Sequence, residues 1–103
     1  TYKSTNVAPY LNLVPQVLTN EPVVVSFVLN PGASSTLKVY RVDGKPITEL
    51  QPIAKGDNFY ECSWDGKDKQ NQKVSNGLYI VQLEVCGPEV GRVRLTRKLV
   101  INR

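Results

Sequence analysis

Residues that favour turns recur along the whole chain, roughly every 8–15 positions, and this spacing constrains the fold more than any other feature. The turn signals are Asn20–Pro22, Asn30–Gly32, Asp43-Gly44, Gly56–Asn58, Asp65-Gly66, Asn76-Gly77 and Gly87-Pro88. Short runs rich in Val, Leu, Tyr and Phe lie between them. No stretch long enough for a helix keeps its apolar residues at helical spacing. Short strands separated by regular turns predict an all-β sandwich or barrel.

Alternation of apolar and polar residues predicts about seven strands. They are Val23–Leu29, Thr36–Val42, Ile47–Leu50, Asn58–Trp64, Leu78–Cys86 and Arg92–Asn102, with one more within Val14–Leu18. The predicted structural core consists of Phe27, Leu37, Val39, Tyr60, Trp64, Tyr79, Val81 and Leu83. Seven strands are typical of a constant-type immunoglobulin domain. We therefore predict an immunoglobulin-like or fibronectin-III-like antiparallel β-sandwich.

The chain has 103 residues, about the length of one domain. Residues 1–13 contain Pro9 and are expected to form a lead-in or linker. Residues 14–103 are expected to form the sandwich. Because the chain begins at Thr1 and contains no Met, we expect a mature product or a piece of a longer protein.

The residues that the chain lacks exclude several kinds of chemistry. Without His, there is no Ser-His-Asp or Cys-His catalysis. Two Cys cannot supply the four ligands of a structural zinc site. The net charge of +4 permits attraction to an anionic surface without arguing for one. No carboxylate pair in a cleft is evident, so we expect no enzyme and no cofactor.

Neither a signal peptide nor a transmembrane segment is evident in the sequence. Apolar runs such as Val23–Val25 and Leu99–Ile101 are far below the roughly 20 residues of a membrane-spanning helix. No charged start followed by an apolar run is present either.

One stretch, from Trp64 to Leu83, carries a specific pattern. It reads as a strand that ends in Trp64, a long polar β-hairpin loop, a tight turn and a strand led by Tyr79. The predicted turn residues are Asp43, Gly44, Asp65, Gly66, Asn76 and Gly77. Asn76-Gly77 would supply positive φ angles, and the Asp65 carboxylate would accept hydrogen bonds from nearby backbone N–H groups.

This pattern resembles the FlgD-like immunoglobulin domain, a module named after the flagellar hook-capping protein. The matching elements are Val25–Leu29, Leu37–Tyr40 leading into Gly44, Trp64–Gly66, Gly77–Tyr79 and Arg97–Ile101. The resemblance covers about Val23–Arg103 and supports the predicted fold.

Such modules occur near the C-termini of bacterial secreted and cell-surface proteins. The resemblance therefore implies a non-catalytic accessory module, extracellular or on the cell surface. It would act as a spacer, an assembly contact or a C-terminal export element. Its partners would be other domains of the parent chain or surface and assembly proteins.

An alternative interpretation is a carbohydrate-binding module appended to a secreted enzyme. It depends on aromatic residues that are candidates for exposure, namely Tyr2, Tyr10, Tyr40 and Phe59. Exposed rings in a row would stack on sugars, which leaves a polysaccharide partner open. The positions are scattered in sequence, and isolated apolar surface is normal.

A metal site is a weaker interpretation of the polar loop. Asp65, Asp68 and Asn71 lie three positions apart, unlike the alternate spacing of calcium loops. Lys67 and Lys69 lie between them and would repel a cation. We therefore expect no metal.

The two cysteines, Cys62 and Cys86, are expected to be free thiols, with a disulfide as the alternative. A hairpin centred on residues 70–72 would place Cys62 opposite Ile80, too far from Cys86 for the geometry of a disulfide.

The last strand is basic and contains Arg92, Arg94, Arg97, Lys98 and Arg103. These charges indicate either an anionic partner or an edge strand protected against aggregation, and we favour the second. No aromatic residues are interleaved with the cations, so nucleic acid is not an expected partner. Arg97 shares the parity of Leu95 and Leu99, which predicts a bulge.

Overall fold

The computed structural model describes residues 10–29, 32–56, 58–88 and 91–103. They form nine strands: β1 (Leu11–Val14), β2 (Val17–Leu18), β3 (Val23–Val28), β4 (Ser34–Arg41), β5 (Pro46–Leu50), β6 (Ile53–Gly56), β7 (Phe59–Trp64), β8 (Gly77–Gly87) and β9 (Gly91–Ile101). The described residues contain no helix of the length and apolar character that spanning a bilayer requires.

Two sheets form the molecule, one with strand order β1-β3-β7-β6 and the other with order β2-β9-β8-β4-β5. Their apolar faces enclose one core, which confirms the predicted all-β sandwich. All strand pairs are antiparallel except β2 with β9, where Val17 lies opposite Val100 and Leu18 opposite Ile101 in parallel register.

The strand count of about seven was too low, for two physical reasons. The segment Val14–Leu18 belongs to two strands, because β1 pairs with β3 in one sheet whereas β2 pairs with β9 in the other. Strand β6 was missed because every one of its residues is exposed, so it has no apolar alternation.

The sandwich begins before the expected boundary at residue 14. Leu11 and Leu13 lie in β1 with exposures of 2% and 3%, and they face Phe27 and Val25 of β3. The expected lead-in of residues 1–13 therefore extends too far, since its last residues contribute two core side chains. Residues 1–9 lie outside the described residues.

Most of the predicted core residues are buried. Phe27, Leu37, Val39, Trp64, Tyr79, Val81 and Leu83 are each at most 3% exposed. Tyr60 is partly buried, and its ring stacks on Phe27 with 5.6 Å between ring centroids. The core also includes Leu11, Leu13, Leu18, Val23, Val25, Leu29, Ile47, Leu50, Val85, Leu99 and Ile101.

The predicted hairpin between Trp64 and Tyr79 is wrong. Strand β7 pairs with β3 and β6, whereas β8 pairs with β4 and β9 in the opposite sheet. Both edges of each strand are thus occupied by other partners. Residues 65–76, which we call the crossing loop, therefore connect the two layers at one end of the sandwich.

Strands β8 and β9 form the longest antiparallel pair, with continuous register from Gly77 opposite Ile101 to Gly87 opposite Gly91. The bulge predicted at Arg97 is absent from this described pair, because Arg97 lies in register opposite Val81. The side chain of Arg97 is exposed and its Nη1–H donates to Thr96 O at 2.9 Å, so no bulge is needed to bring the charge to water.

Candidate functional site: the crossing loop and the basic edge

Two aromatic side chains hold the ends of the crossing loop. Trp64 and Tyr79 meet edge to face, with 6.1 Å between ring centroids and an interplanar angle of 68°. Trp64 Nε1–H donates to Lys67 O at 2.9 Å, and the Tyr79 hydroxyl donates to Ser75 O at 2.7 Å. Each ring is therefore buried with its polar atom paired, as large aromatic core residues require.

The carboxylate that caps the loop belongs to Asp68, not to Asp65 as predicted. Asp68 Oδ1 accepts hydrogen bonds from Gln70 N at 2.9 Å and Gln72 N at 3.0 Å. Asp68 N–H in turn donates to Gln72 O, which closes the loop tip on itself. Asp65 instead lies 3.7 Å from Lys67 Nζ. The amides that need an acceptor are those at the tip, where Asp68 is placed.

Arg103 fastens the crossing loop from the end of the last strand. Its guanidinium donates to Asp65 O at 3.2 Å, Gly66 O at 3.1 Å and Val74 O at 2.7 Å. Gly66 has φ +81°, and a Cβ there would overlap Arg103 Nη1, so a side chain at this position would displace the guanidinium. The Arg103 guanidinium therefore stabilises the crossing loop. From its charge alone, the sequence predicts that it belongs to the basic surface.

Asn76 does not supply the positive φ angle that was predicted for it; within the described residues, Asn58 and Asn71 are the non-glycine residues with positive φ. The Asn76 side chain instead pairs with the backbone of Arg103. Its Nδ2–H donates to Arg103 O at 3.1 Å, and its Oδ1 accepts from Arg103 N at 3.2 Å. This pairing joins the start of β8 to the end of β9.

The turn predicted at Asp43-Gly44 is present and connects β4 to β5. Asp43 Oδ1 accepts from Lys45 N at 3.1 Å, and Gly44 N–H donates to Arg41 O at 2.9 Å. Gly44 has φ +95°, which a residue with a Cβ rarely adopts.

A second feature, which we call the basic edge, consists of Arg92, Arg94, Arg97 and Lys98 in β9, all exposed. Glu84 Oε2 of β8 lies 3.7 Å from Arg92 Nε and 3.7 Å from Arg94 Nη2. Such exposed ion pairs contribute little to stability. The expectation that the basic strand lies at an edge is met in part: β9 lies between β2 and β8, but within the described chain β2 pairs with it only at Val100 and Ile101.

Cys62 and Cys86 are free thiols in different sheets. The expected free state agrees with the structure, but the two thiols are kept apart by their positions in different sheets and not by a hairpin. Burial of Cys62, with a smaller contribution from the Glu61 charge, raises the pKa of its thiol to about 11. Cys86 is exposed near the end of β8.

The aromatic residues considered for sugar binding do not form one row. Tyr40 lies in β4 and Phe59 in β7, which belong to different sheets, and both rings are half-buried. Tyr10 is 42% exposed. Tyr2 lies outside the described residues.

The described residues contain no group of three or more His, Cys, Asp or Glu side chains placed to hold a metal ion. A groove beside the crossing loop has a volume of ≈ 290 Å³ and is lined in part by Arg41, Lys45, Asp68 and Lys69. Asp68 is already engaged by backbone N–H groups of the loop tip.

No protein-family model and no curated protein matches the chain. Solved structures with a similar fold include PorZ, an essential bacterial surface component of the type-IX secretion system of Porphyromonas gingivalis (TM-score 0.60, 17% identity). That match covers 90% of this chain and 11% of PorZ, so the chain spans a small part of that protein. CopC from Methylosinus trichosporium OB3b is similar with TM-score 0.56 and 13% identity, over 90% of this chain and 94% of CopC. At these identities the likeness establishes the β-sandwich fold.

Proposed function

We propose that the chain is a non-catalytic immunoglobulin-like accessory module of a larger bacterial secreted or cell-surface protein. The observation that carries this proposal is the match to PorZ, in which a fold of this size makes up 11% of a bacterial surface protein. The FlgD-like pattern of the sequence points to the same kind of parent protein. Both support an extracellular or envelope location.

The use of the acidic side chains supports a role without catalysis. Asp68 caps the tip of the crossing loop, Asp65 pairs with Lys67, and Glu84 pairs with Arg92 and Arg94. A general acid or base needs a carboxylate in a desolvated cleft beside its substrate. These carboxylates instead hold the loop or balance exposed cations.

Within this function, the module would serve as a spacer, an assembly contact or a C-terminal export element. The crossing loop suits a scaffold, since its backbone is held by Trp64, Tyr79 and Arg103. Contact with partners would then involve the exposed strand edges, where main-chain hydrogen bonds supply affinity.

The test is a comparison of the parent protein with and without this module in the bacterium that encodes it. Trp64→Ala, which should destabilise the module without shortening the chain, serves as the matched variant for deletion. We expect both changes to impair secretion or surface assembly of the parent, as measured by surface biotinylation of intact cells. Unchanged surface display and assembly in both strains would contradict the proposal.

Carbohydrate binding is the competing outcome, tested separately by titrating polysaccharides into the labelled chain. The NMR signals of Tyr10, Tyr40 and Phe59 are the reporters, because Trp64 is buried and its fluorescence would not sense a surface ligand. We expect no saturable shifts. Saturable shifts at these rings would replace the proposal with a carbohydrate-binding module.

A further inference from the structure

Among the strands that the structure describes, β9 has an unpaired edge along most of its length. In the sheet it lies between β8 and β2, but β2 pairs only with Val100 and Ile101. On the side away from β8, none of the described strands pairs with β9 between Gly91 and Leu99. Unpaired backbone groups on a sheet edge are a template for another strand.

The hydrogen bonds to the β2 segment identify which backbone groups of β9 face this open side. Val100 N–H donates to Gln16 O at 3.2 Å, and Asn102 N–H donates to Leu18 O at 2.9 Å. The register of β9 with β8 is unbroken, and in antiparallel pairing alternate residues direct their peptide groups to the same side. The N–H groups facing the open side are therefore those of Arg92, Arg94, Thr96 and Lys98.

The positive charge of this edge disfavours pairing with another basic strand and favours pairing with an acidic one. Its cations are exposed, and among the described residues Glu84 is the acid in contact with them, with one carboxylate shared by Arg92 and Arg94. A second copy of β9 would bring its own cations to the same place, which disfavours pairing between copies. An acidic strand would instead be attracted.

The inner side of the same edge is apolar at Val93 and Leu95. Arg97, which lies opposite Val81 on that side, instead directs its guanidinium to Thr96 O. Val93 and Leu95 are partly buried and pack against the core at the margin of the sandwich. Because successive side chains of a strand point to opposite faces, an added strand would place every second side chain beside Val93 and Leu95. Apolar residues at those positions would cover the core margin, while the other positions face Arg92, Arg94 and Lys98.

We propose that the open edge of β9 binds an extended segment of a partner protein in which acidic and apolar residues alternate. The segment would add to the five-stranded sheet as a further strand beside Arg92–Lys98. This inference rests on the proposed function, since an accessory module acts through the surfaces that it presents. Main-chain hydrogen bonds would supply affinity, and the basic edge would select the acidic sequence.

A capped peptide of alternating Glu and Val, about eight residues long as strands commonly are, is the probe. Titrated into the ¹⁵N-labelled chain, it should shift the amide signals of Arg92, Arg94, Thr96 and Lys98 in a saturable manner. A peptide of the same composition with Glu and Val in separate blocks, and one with N-methyl groups on alternate residues, should each bind about tenfold more weakly.

Thr96→Pro and Thr96→Val form the matched pair of protein variants. Proline at position 96 removes an N–H that faces the open side, whereas valine keeps it. We expect Thr96→Pro to weaken peptide binding about tenfold or more, and Thr96→Val to change it little. The NMR spectrum of each variant verifies that the sandwich is intact before the titration.

Three outcomes would overturn the inference: no binding at millimolar peptide, equal binding of the N-methylated peptide, or equal binding by Thr96→Pro. Displacement of the peptide by dextran sulfate together with insensitivity to N-methylation would assign the edge to simple charge attraction. These measurements use the isolated chain in solution, so their failure leaves the surface-display experiment on the parent protein to be judged on its own.

Discussion

At the scale of single residues, the crossing loop is organised by backbone carbonyls that three side chains bind. The Trp64 indole and Tyr79 hydroxyl each take one carbonyl, and the Arg103 guanidinium takes three. Hydrogen bonds that involve a charged donor are the stronger ones, typically about 1.5–3 kcal/mol. Arg103, two residues beyond the end of the basic strand β9, is thus a structural residue.

Replacing Trp64 by Ala should lower the free energy of unfolding by about 3–5 kcal/mol, because it empties a core position and frees Lys67 O. Urea denaturation followed by circular dichroism measures the loss. Trp64→Phe, which keeps an aromatic ring but loses the N–H donor, should cost less. A loss below about 1 kcal/mol for Trp64→Ala would contradict the role assigned to this ring.

Gly66→Ala should destabilise the chain for two separable reasons. Its φ of +81° strains any residue with a Cβ, and the new methyl group would displace the Arg103 guanidinium. We expect a cost of about 2–3 kcal/mol in the natural chain and about 1 kcal/mol in an Arg103→Ala background, where only the strain remains. Chemical denaturation of the four proteins of this cycle measures both values. Equal costs in the two backgrounds would show that Arg103 does not occupy the space beside Gly66.

The two thiols should react with iodoacetamide at different rates. Cys86 is exposed, whereas Cys62 is partly buried with a pKa of about 11, so its thiolate is scarce near neutral pH. Mass spectrometry at pH 8 should find rapid labelling of Cys86 and slow labelling of Cys62. Cys62→Ser and Cys86→Ser variants identify the sites, and equal labelling rates would contradict the burial of Cys62.

The same shift predicts the sign of a pH effect. The folded chain holds the Cys62 proton up to a pKa of about 11, against 9.0 for an unperturbed thiol. Between these values the unfolded state loses the proton first, so stability falls as pH rises from 9 toward 11. Denaturant midpoints should decline more steeply for the natural chain than for Cys62→Ala. A decline of the same slope in both would contradict the assignment.

At the scale of strands, substitutions in β1 test where the folded sandwich begins. Leu13 is 3% exposed on the core face of β1, and the neighbouring Val14 is 56% exposed on the other face. Leu13→Ala should therefore destabilise by about 2–4 kcal/mol, whereas Val14→Ala should change stability by less than about 0.5 kcal/mol. Thermal unfolding of both variants makes the comparison. Equal effects would indicate that β1 does not belong to the sandwich.

The strands differ in how much of their structure the sequence determines. Alternation correctly located β8, because Tyr79, Val81, Leu83 and Val85 all face the core. It could not find β6, whose residues are exposed on both faces. The alternation of apolar and polar residues also shows which face of a strand is buried, but it does not show which strands lie beside it. For that reason the predicted hairpin between β7 and β8 is wrong.

The residues of the site were predictable to different degrees. Trp64 and Tyr79 stood out because large aromatic residues flank one polar loop. Asp68, and not the predicted Asp65, caps the loop. Which of the two carboxylates reaches the free amides depends on the exact path of the loop backbone, and the local sequence does not specify that path. The role of Arg103 depends on a contact between positions far apart in the chain, and its sequence signal indicated only charge.

At the scale of the whole molecule, the two sheets leave edges of unequal length. Strands β1, β5 and β6 have four or five residues each, whereas β9 has eleven, of which two pair with β2. Short edges protect a sheet against unwanted pairing, and a long edge is commonly protected by charge. The cations of β9 would protect its long edge in this way. Under our proposal they would also select an acidic partner strand.

Hydrogen exchange along β9, measured residue by residue by NMR, tests the open edge most directly. We predict slow exchange at Val93, Leu95, Arg97 and Leu99, whose amides face β8, and at Val100 and Asn102, which donate to Gln16 and Leu18. The amides of Arg92, Arg94, Thr96 and Lys98 should exchange rapidly. Uniform slow exchange along the strand would mean that its second side is already occupied, and would contradict the account.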